Sequence, residues 1–216
     1  MTIEALRSAR VAAPVRLAES SVPLHPLLAE RWSTRSFAPD VHLTDAELLA
    51  LLEAARWAPS RSNGQTRRFL VGRRGDDTFT RIYDALKPQN QAWAGNAAAL
   101  IAGVAPVADA EGEVDRLGAY DLGQAIAHLS VQATALGLHV RQMAGFHPDV
   151  IRSAFSIPQT HAPLVVAAVG AYGDPSILDE GSAEKERAAR QRHPVAAIAF
   201  ADAWESPLPV VGNAGK

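Results

Sequence analysis

Residues 163–169, PLVVAAV, constrain the fold more than any other stretch, because seven consecutive positions offer a sheet no polar face. A strand that is apolar on both sides must be covered on both sides, so it predicts a central strand with layers above and below. A second unbroken apolar run, residues 96–104, predicts another buried strand, and Phe69-Leu70-Val71 a short third.

Helices are read from periodicity and caps. Thr44-Asp45-Ala46-Glu47 is a capping box, followed by Leu48, Leu51, Leu52 and Ala55 at helical spacing, with an end near Ala58-Pro59. Phe79, Ile82, Tyr83 and Leu86 mark a second amphipathic helix, and Pro148 opens another carrying Val150, Ile151 and Phe155. Residues 114–136, rich in Ala, Gly and Gln, predict a long helix closed by Gly137, whose small side chains permit close packing on neighbours or on a partner subunit. Residues 179–192 are highly charged, and residues 195–200 predict a last strand. Strands and helices alternate without a βαβ rhythm, repeats or a linker. The expectation is an N-terminal arm (1–25), partly ordered, and a single α/β domain (26–216).

Several chemistries are excluded. The 216 residues contain no cysteine, so thiolate nucleophiles, disulfides and iron–sulfur clusters are out. The seven histidines form no HExxH and no pair at helical ligand spacing, so no metal site is expected. There is no GxGxxG after a strand, no Walker A lysine loop and no GxSxG elbow. A formal net charge of -2 argues against general affinity for nucleic acid. No apolar run reaches the length of a signal core or membrane span, so the chain is expected to be cytoplasmic.

Three basic-and-polar clusters remain. Arg31-Trp32-Ser33-Thr34-Arg35 sets two arginines at i and i+4 around a hydroxyl, a group that either sits on a solvated face or grips a phosphate by charge-assisted hydrogen bonds. Pro59-Ser60-Arg61-Ser62-Asn63-Gly64-Gln65 is either a capped turn or a loop whose donors and acceptors read the rim of a heterocycle. Arg190-Gln191-Arg192-His193-Pro194 points two cations to one side if extended. Were these segments to converge, their charges would call for an anion.

The order and wording of the segments supply the link. RWSTRSF, AARWAPSRSNGQTRRF, NQAWAGNAAALIAGV, YDLGQAIAHLSVQATALGLHVRQMAGF and RQRHPVAAIAF, from about Pro26 to Phe200, together resemble the FMN-dependent nitroreductase family. The resemblance implies a mixed, mainly antiparallel sheet flanked by helices, in an intertwined homodimer with FMN at the interface. It implies that Arg31 and Ser33 hold the ribityl phosphate together with Arg190 and Arg192, that Trp32 also belongs to the cofactor site, and that Arg35 lies near N1 and O2 of the ring. Asn90 would contact the pyrimidine edge. Pro59, Ser60, Ser62, Asn63 and Gln65 would reach the cofactor bound mainly by the other subunit, and Gln142, Met143, Ala144 and Gly145 would pass along the ring.

The implied activity is electron transfer from NADH or NADPH, through FMN, to a small flat acceptor such as a nitroaromatic or quinone. Relatives on the same fold instead dismantle flavin, remove halogen or reduce alkenes, and a non-catalytic flavin-binding protein is a further alternative. No side chain is expected to act as a catalytic acid, base or nucleophile; Arg35 would serve as an electrostatic stabiliser. Thr66-Arg67 stands where many members have Pro-Trp, and Trp93 where some carry a basic residue near the flavin. Phe146 belongs to the family wording and equally suits a core position.

Overall fold

The computed structural model describes residues 13–108 and 111–209, together with Ile3. Four strands, β1 (Arg68–Arg73), β2 (Ala99–Pro106), β3 (His139–Met143) and β4 (His161–Gly170), form one sheet in the order β1-β2-β4-β3. Every pairing is antiparallel. Both apolar runs are therefore interior strands, flanked on each side by another strand.

Their two faces feed two cores. Ala99, Ile101, Ala167 and Val169 pack with Leu48, Leu51 and Ala55 of helix α2 (Asp45–Arg56) and with Ala125, Leu129 and Ala133 of helix α5 (Gly118–Ala135). Leu100, Ala102, Val166 and Ala168 face the other way, onto Phe79 and Ile82 of α3 (Asp77–Asp84), Trp93 of α4 (Pro88–Ala94) and Ile151 of α6 (Pro148–Ala154). The period of two along each strand is what divides the cores.

The caps behave as the sequence dictates. Thr44 and Glu47 close a reciprocal capping box at the start of α2. Gly137, at φ 71, ends α5 in a Schellman turn: Leu138 N–H donates to Ala133 O at 2.8 Å and Gly137 N–H to Thr134 O at 3.0 Å. The long helix begins at Gly118, four residues later than residues 114–136 suggest. Asp115 accepts the N–H groups of Leu117 and Gly118 and holds the chain in a turn until that point. Phe146 is buried in the core beside Trp93.

One expectation is corrected. Residues 195–200 form no strand: Val195–Ala197 is a 3₁₀ turn, followed by a lone bridge between Phe200 and Pro207. Apolar composition alone does not make a strand: the segment closes local hydrogen bonds, Ala197 N–H to Pro194 O and Ile198 N–H to Val195 O, and pairs with none of the four strands. The edge strand β3 is the converse case: its sequence His-Val-Arg-Gln-Met lacks a continuous apolar signature, yet it completes the sheet by pairing with β4. Two short helices complete the frame, α1 (Pro26–Glu30) ahead of the first cluster and α7 (Glu180–Arg187) ahead of the third.

Candidate functional site

The segment from Arg31 to Phe37 carries no helix, so its side chains alternate. Trp32, Thr34 and Ser36 are buried, while Arg31, Ser33 and Arg35 face outward. The alternation is locked from behind by Glu186, on the buried side of α7. Its carboxylate accepts the Thr34 hydroxyl and the backbone N–H of Arg35, the latter at 2.9 Å. The first and third clusters are thereby fastened together, although about 150 residues separate them in the chain.

The outward residues line one cavity of about 260 Å³ with Arg190 and Arg192. Arg31, Ser33, Arg35, Arg190 and Arg192 thus come together as the sequence reading requires, and Trp32 forms part of the wall. Three cations escaped that reading: Arg16, Arg141 and Lys185. None belongs to a cluster, and the signal for Arg141 is only its alternation along an edge strand. Arg16 comes from the N-terminal arm. It lies 4.5 Å from the centroid of the Trp32 ring and donates to the carbonyls of Glu186 and Ala188.

The cavity is electrostatically strained. Among the described residues, no ion pair within 4 Å neutralises any of these seven cations; the pairs present join Arg56 to Glu53, Arg73 to Asp45 and Arg81 to Asp77. Burial and then Arg192 hold Arg31 below the usual arginine range. Burial, Arg31, Arg192 and Arg16 do the same to Arg190. Arg141 is pushed down to about 10, first by burial and then by Arg35, with Glu186 opposing.

Arg190 has a double task. Its two Nη atoms donate to the carbonyls of Arg16, Ala29 and Arg31, which leaves one Nη hydrogen and Nε–H for a ligand. Arg192 spends one bond, on Gln191 O, and keeps the rest of its fork.

Asn90 and Gly145, from distant segments, also meet: Asn90 Nδ2 donates to Gly145 O at 2.9 Å. Ala144 is exposed, whereas Met143 is a core residue. Gln142 lies on the sheet face opposite Arg141 and donates to Ser130 of α5 at 3.2 Å. In this chain its side chain turns away from the arginine cavity.

The loop of residues 59–65 stands apart from that cavity as well. Pro59 and Ser60 line a second cavity of about 280 Å³ with Arg61, Leu117, Tyr120, Asp121 and Gln124. Ser62, Asn63 and Gln65 hold positive φ of 50, 57 and 51, and Ser60 Oγ accepts the Gln65 N–H at 3.1 Å. Arg67, where Thr66-Arg67 replaces Pro-Trp, is buried and closes the end of α2 by donating to the carbonyls of Ala55, Arg56 and Ala58. The loop's entry is fixed by that guanidinium, which also suits the negative end of the helix dipole.

Comparison with known proteins agrees with this architecture. The nitroreductase family model matches residues 28–106. An uncharacterized 15.4 kDa protein of Mycolicibacterium smegmatis is 40% identical over 153 residues, which cover 65% of this chain and 99% of that protein. A crystal structure of an oxidoreductase containing FMN is 32% identical and superposes with a TM-score of 0.80, over 87% of this chain and 96% of that one. A protein from Exiguobacterium sibiricum in complex with FMN shares the fold, with a TM-score of 0.67 at 20% identity over 82% of this chain and 95% of its own. Sequence, strand order and the arginine cavity converge, and the chain belongs to the nitroreductase family.

Proposed function

We propose that this protein binds FMN between two copies of the chain and passes electrons from NADH or NADPH to a small flat acceptor, a nitroaromatic, a quinone or a similar compound. The observation that carries this reading is the convergence of Arg31, Ser33, Arg35, Arg190 and Arg192 on one cavity whose cations form no ion pair within 4 Å among the described residues. A flavin monophosphate fits that donor set: it is anionic at one end and becomes anionic at the ring when reduced. The structural relative containing FMN supports the same choice.

Arg31, Ser33, Arg190 and Arg192 would hold the phosphate by charge-assisted hydrogen bonds. Asn90, and the backbone of Ala144 and Gly145, would orient the ring edge. Arg35 would place a fixed cation where negative charge develops, a preorganised stabilisation that needs no reorientation at the moment of transfer. When bound, the flavin supplies the hydride-accepting atom, N5, so the protein needs no acid, base or nucleophile of its own. Residues 59–65 lie outside the arginine cavity, so they reach the same flavin only from a second subunit. This relation is the argument for the homodimer.

The test is optical. Purified protein should be yellow, or become so with FMN, and elute as a dimer. Anaerobic NADH or NADPH should bleach the colour, and a nitroaromatic or quinone should restore it. A protein that remains colourless in excess FMN would refute the assignment. A yellow protein bleached by dithionite but by neither nicotinamide would refute the donor.

A further inference from the structure

The cations of the cavity do not form one set. Arg31, Arg190, Arg192 and Arg16 oppose one another electrostatically, whereas Arg141 is opposed by Arg35. The backbone explains the second group. Arg141 pairs with Ala168 across the β3–β4 ladder, so it shares the sheet face on which Ala168 packs with Trp93. Its guanidinium lies 5.5 Å from the centroid of the Trp93 ring, and its Nη1 donates to Ser33 O at 3.0 Å. Arg35 enters the same space from the extended segment on the other side of Ser33. Arg141 thus enters the cavity from the side of Trp93, whose helix α4 also carries Asn90, and Arg35 lines the same cavity two residues beyond Ser33.

We propose that Arg141 acts with Arg35 as a second fixed cation for the reduced flavin ring, so that this pair sets the reduction potential. The inference rests on the FMN reading above. Hydride transfer from C4 of the nicotinamide to N5 of the flavin breaks one C–H bond and forms one N–H bond. It releases the oxidised nicotinamide and leaves one net negative charge over N1, C2 and O2. A phosphate carries its charge in both redox states and gives no reason for cations elsewhere. A group that gains charge only on reduction does. Trp93 contributes an aromatic face that holds the guanidinium without neutralising it, and among the described residues no carboxylate forms an ion pair with Arg141 within 4 Å.

The experiment compares wild type with Arg141→Gln and Arg141→Lys, measuring affinity for oxidised FMN and the two-electron midpoint potential against a reference dye. For Arg141→Gln we expect the preference for reduced over oxidised FMN to fall about tenfold, which is about 30 mV toward more negative potential. Oxidised FMN should bind within threefold of wild type, and Arg141→Lys should recover most of the shift. Should the glutamine variant not fold, Arg141→Met keeps the stem against Trp93 and carries the same readout. An unchanged potential in a yellow, folded variant would overturn the proposal while leaving FMN binding intact. So would an equal loss of affinity for both redox states, the mark of a phosphate contact. Wild type that binds no FMN removes the reading beneath it.

Discussion

Glu186 accepts the backbone N–H of Arg35 at 2.9 Å, and through that one carboxylate the C-terminal helix α7 positions the N-terminal arginine segment. The carboxylate is almost completely buried, and its other oxygen takes the Thr34 hydroxyl. It sets a negative charge behind the cations of the cavity. Replacing it by alanine strands the Arg35 N–H, leaves the Thr34 hydroxyl only its longer contact with Ser36 O at 3.3 Å, and removes the charge that opposes the strain on Arg141.

Glu186→Ala should therefore cost about 2–4 kcal/mol of folding stability. For a domain of this size that is a fall in Tm of roughly 5–15 °C. Glu186→Gln keeps one acceptor and should lose less. Adding FMN should recover part of the loss, because an anion supplies the missing charge from the other side. Thermal scans of both variants with and without FMN check the order.

Arg190 and Arg192 separate two effects that the sequence presents as one. Arg192→Ala should weaken FMN binding by about 1.5–3 kcal/mol, or roughly 10- to 150-fold, with the apo Tm nearly unchanged. Arg190→Ala should weaken it comparably and also lower the apo Tm, since the carbonyls of Arg16, Ala29 and Arg31 lose their donor. Fluorescence titration beside thermal scans reads both. Equal Tm losses would contradict the clamp geometry.

The same residues show what a sequence can and cannot display. Both interior strands were legible because burial on two faces leaves an unbroken apolar run, and α2 because its cap and its leucines agree. Arg31, Ser33 and Arg35 were legible as a motif, but not their alternation against buried Trp32 and Thr34, which depends on Glu186 from a distant helix. Arg141 and β3 were invisible for a related reason. An edge strand with one face in a cavity carries mixed residues, and its identity comes from its partner, β4. Residues 195–200 looked like a strand because apolar composition is local, whereas pairing with a neighbouring strand is a property of the whole fold.

His139 makes acid sensitivity testable. Its ring is largely buried between Trp32, 5.1 Å away, and Tyr172, 5.9 Å away, and burial pushes its pKa down to about 4. Protonation is harder in the folded chain than in the unfolded one, at 6.5. The neutral form's stability is therefore complete above pH 6.5 and is lost as pH falls toward 4. At pH 4.5 the loss is about 2–3 kcal/mol, or roughly 5–10 °C in Tm. His139→Gln should show a smaller drop between pH 7.5 and pH 4.5. An identical drop would place the acid sensitivity elsewhere.

Gly72 and Gly145 are both too crowded for a side chain, yet their alanine variants should fail in different ways. A Cβ at Gly72 would stand 2.3 Å from the backbone nitrogen of Phe79, and α3 cannot yield without pulling Phe79 and Ile82 out of the core. Gly72→Ala should cost at least about 3 kcal/mol, which a denaturant titration would detect. At Gly145 the nearest atom is Asn90 Nδ2, 2.6 Å away, the free end of a rotatable amide. Asn90 can swing aside at the cost of one hydrogen bond, its donation to Gly145 O, worth about 1 kcal/mol. Gly145→Ala should fold with a Tm within about 4 °C of wild type. Its defect should appear in ligand binding, because the displaced amide is the one proposed above to orient the flavin's ring edge. Asn90→Ala should then reproduce most of the loss in FMN affinity, and the double variant should lose little more than either single one, since both changes act on the same amide. Additive losses would mean that Gly145 contributes its own backbone contact.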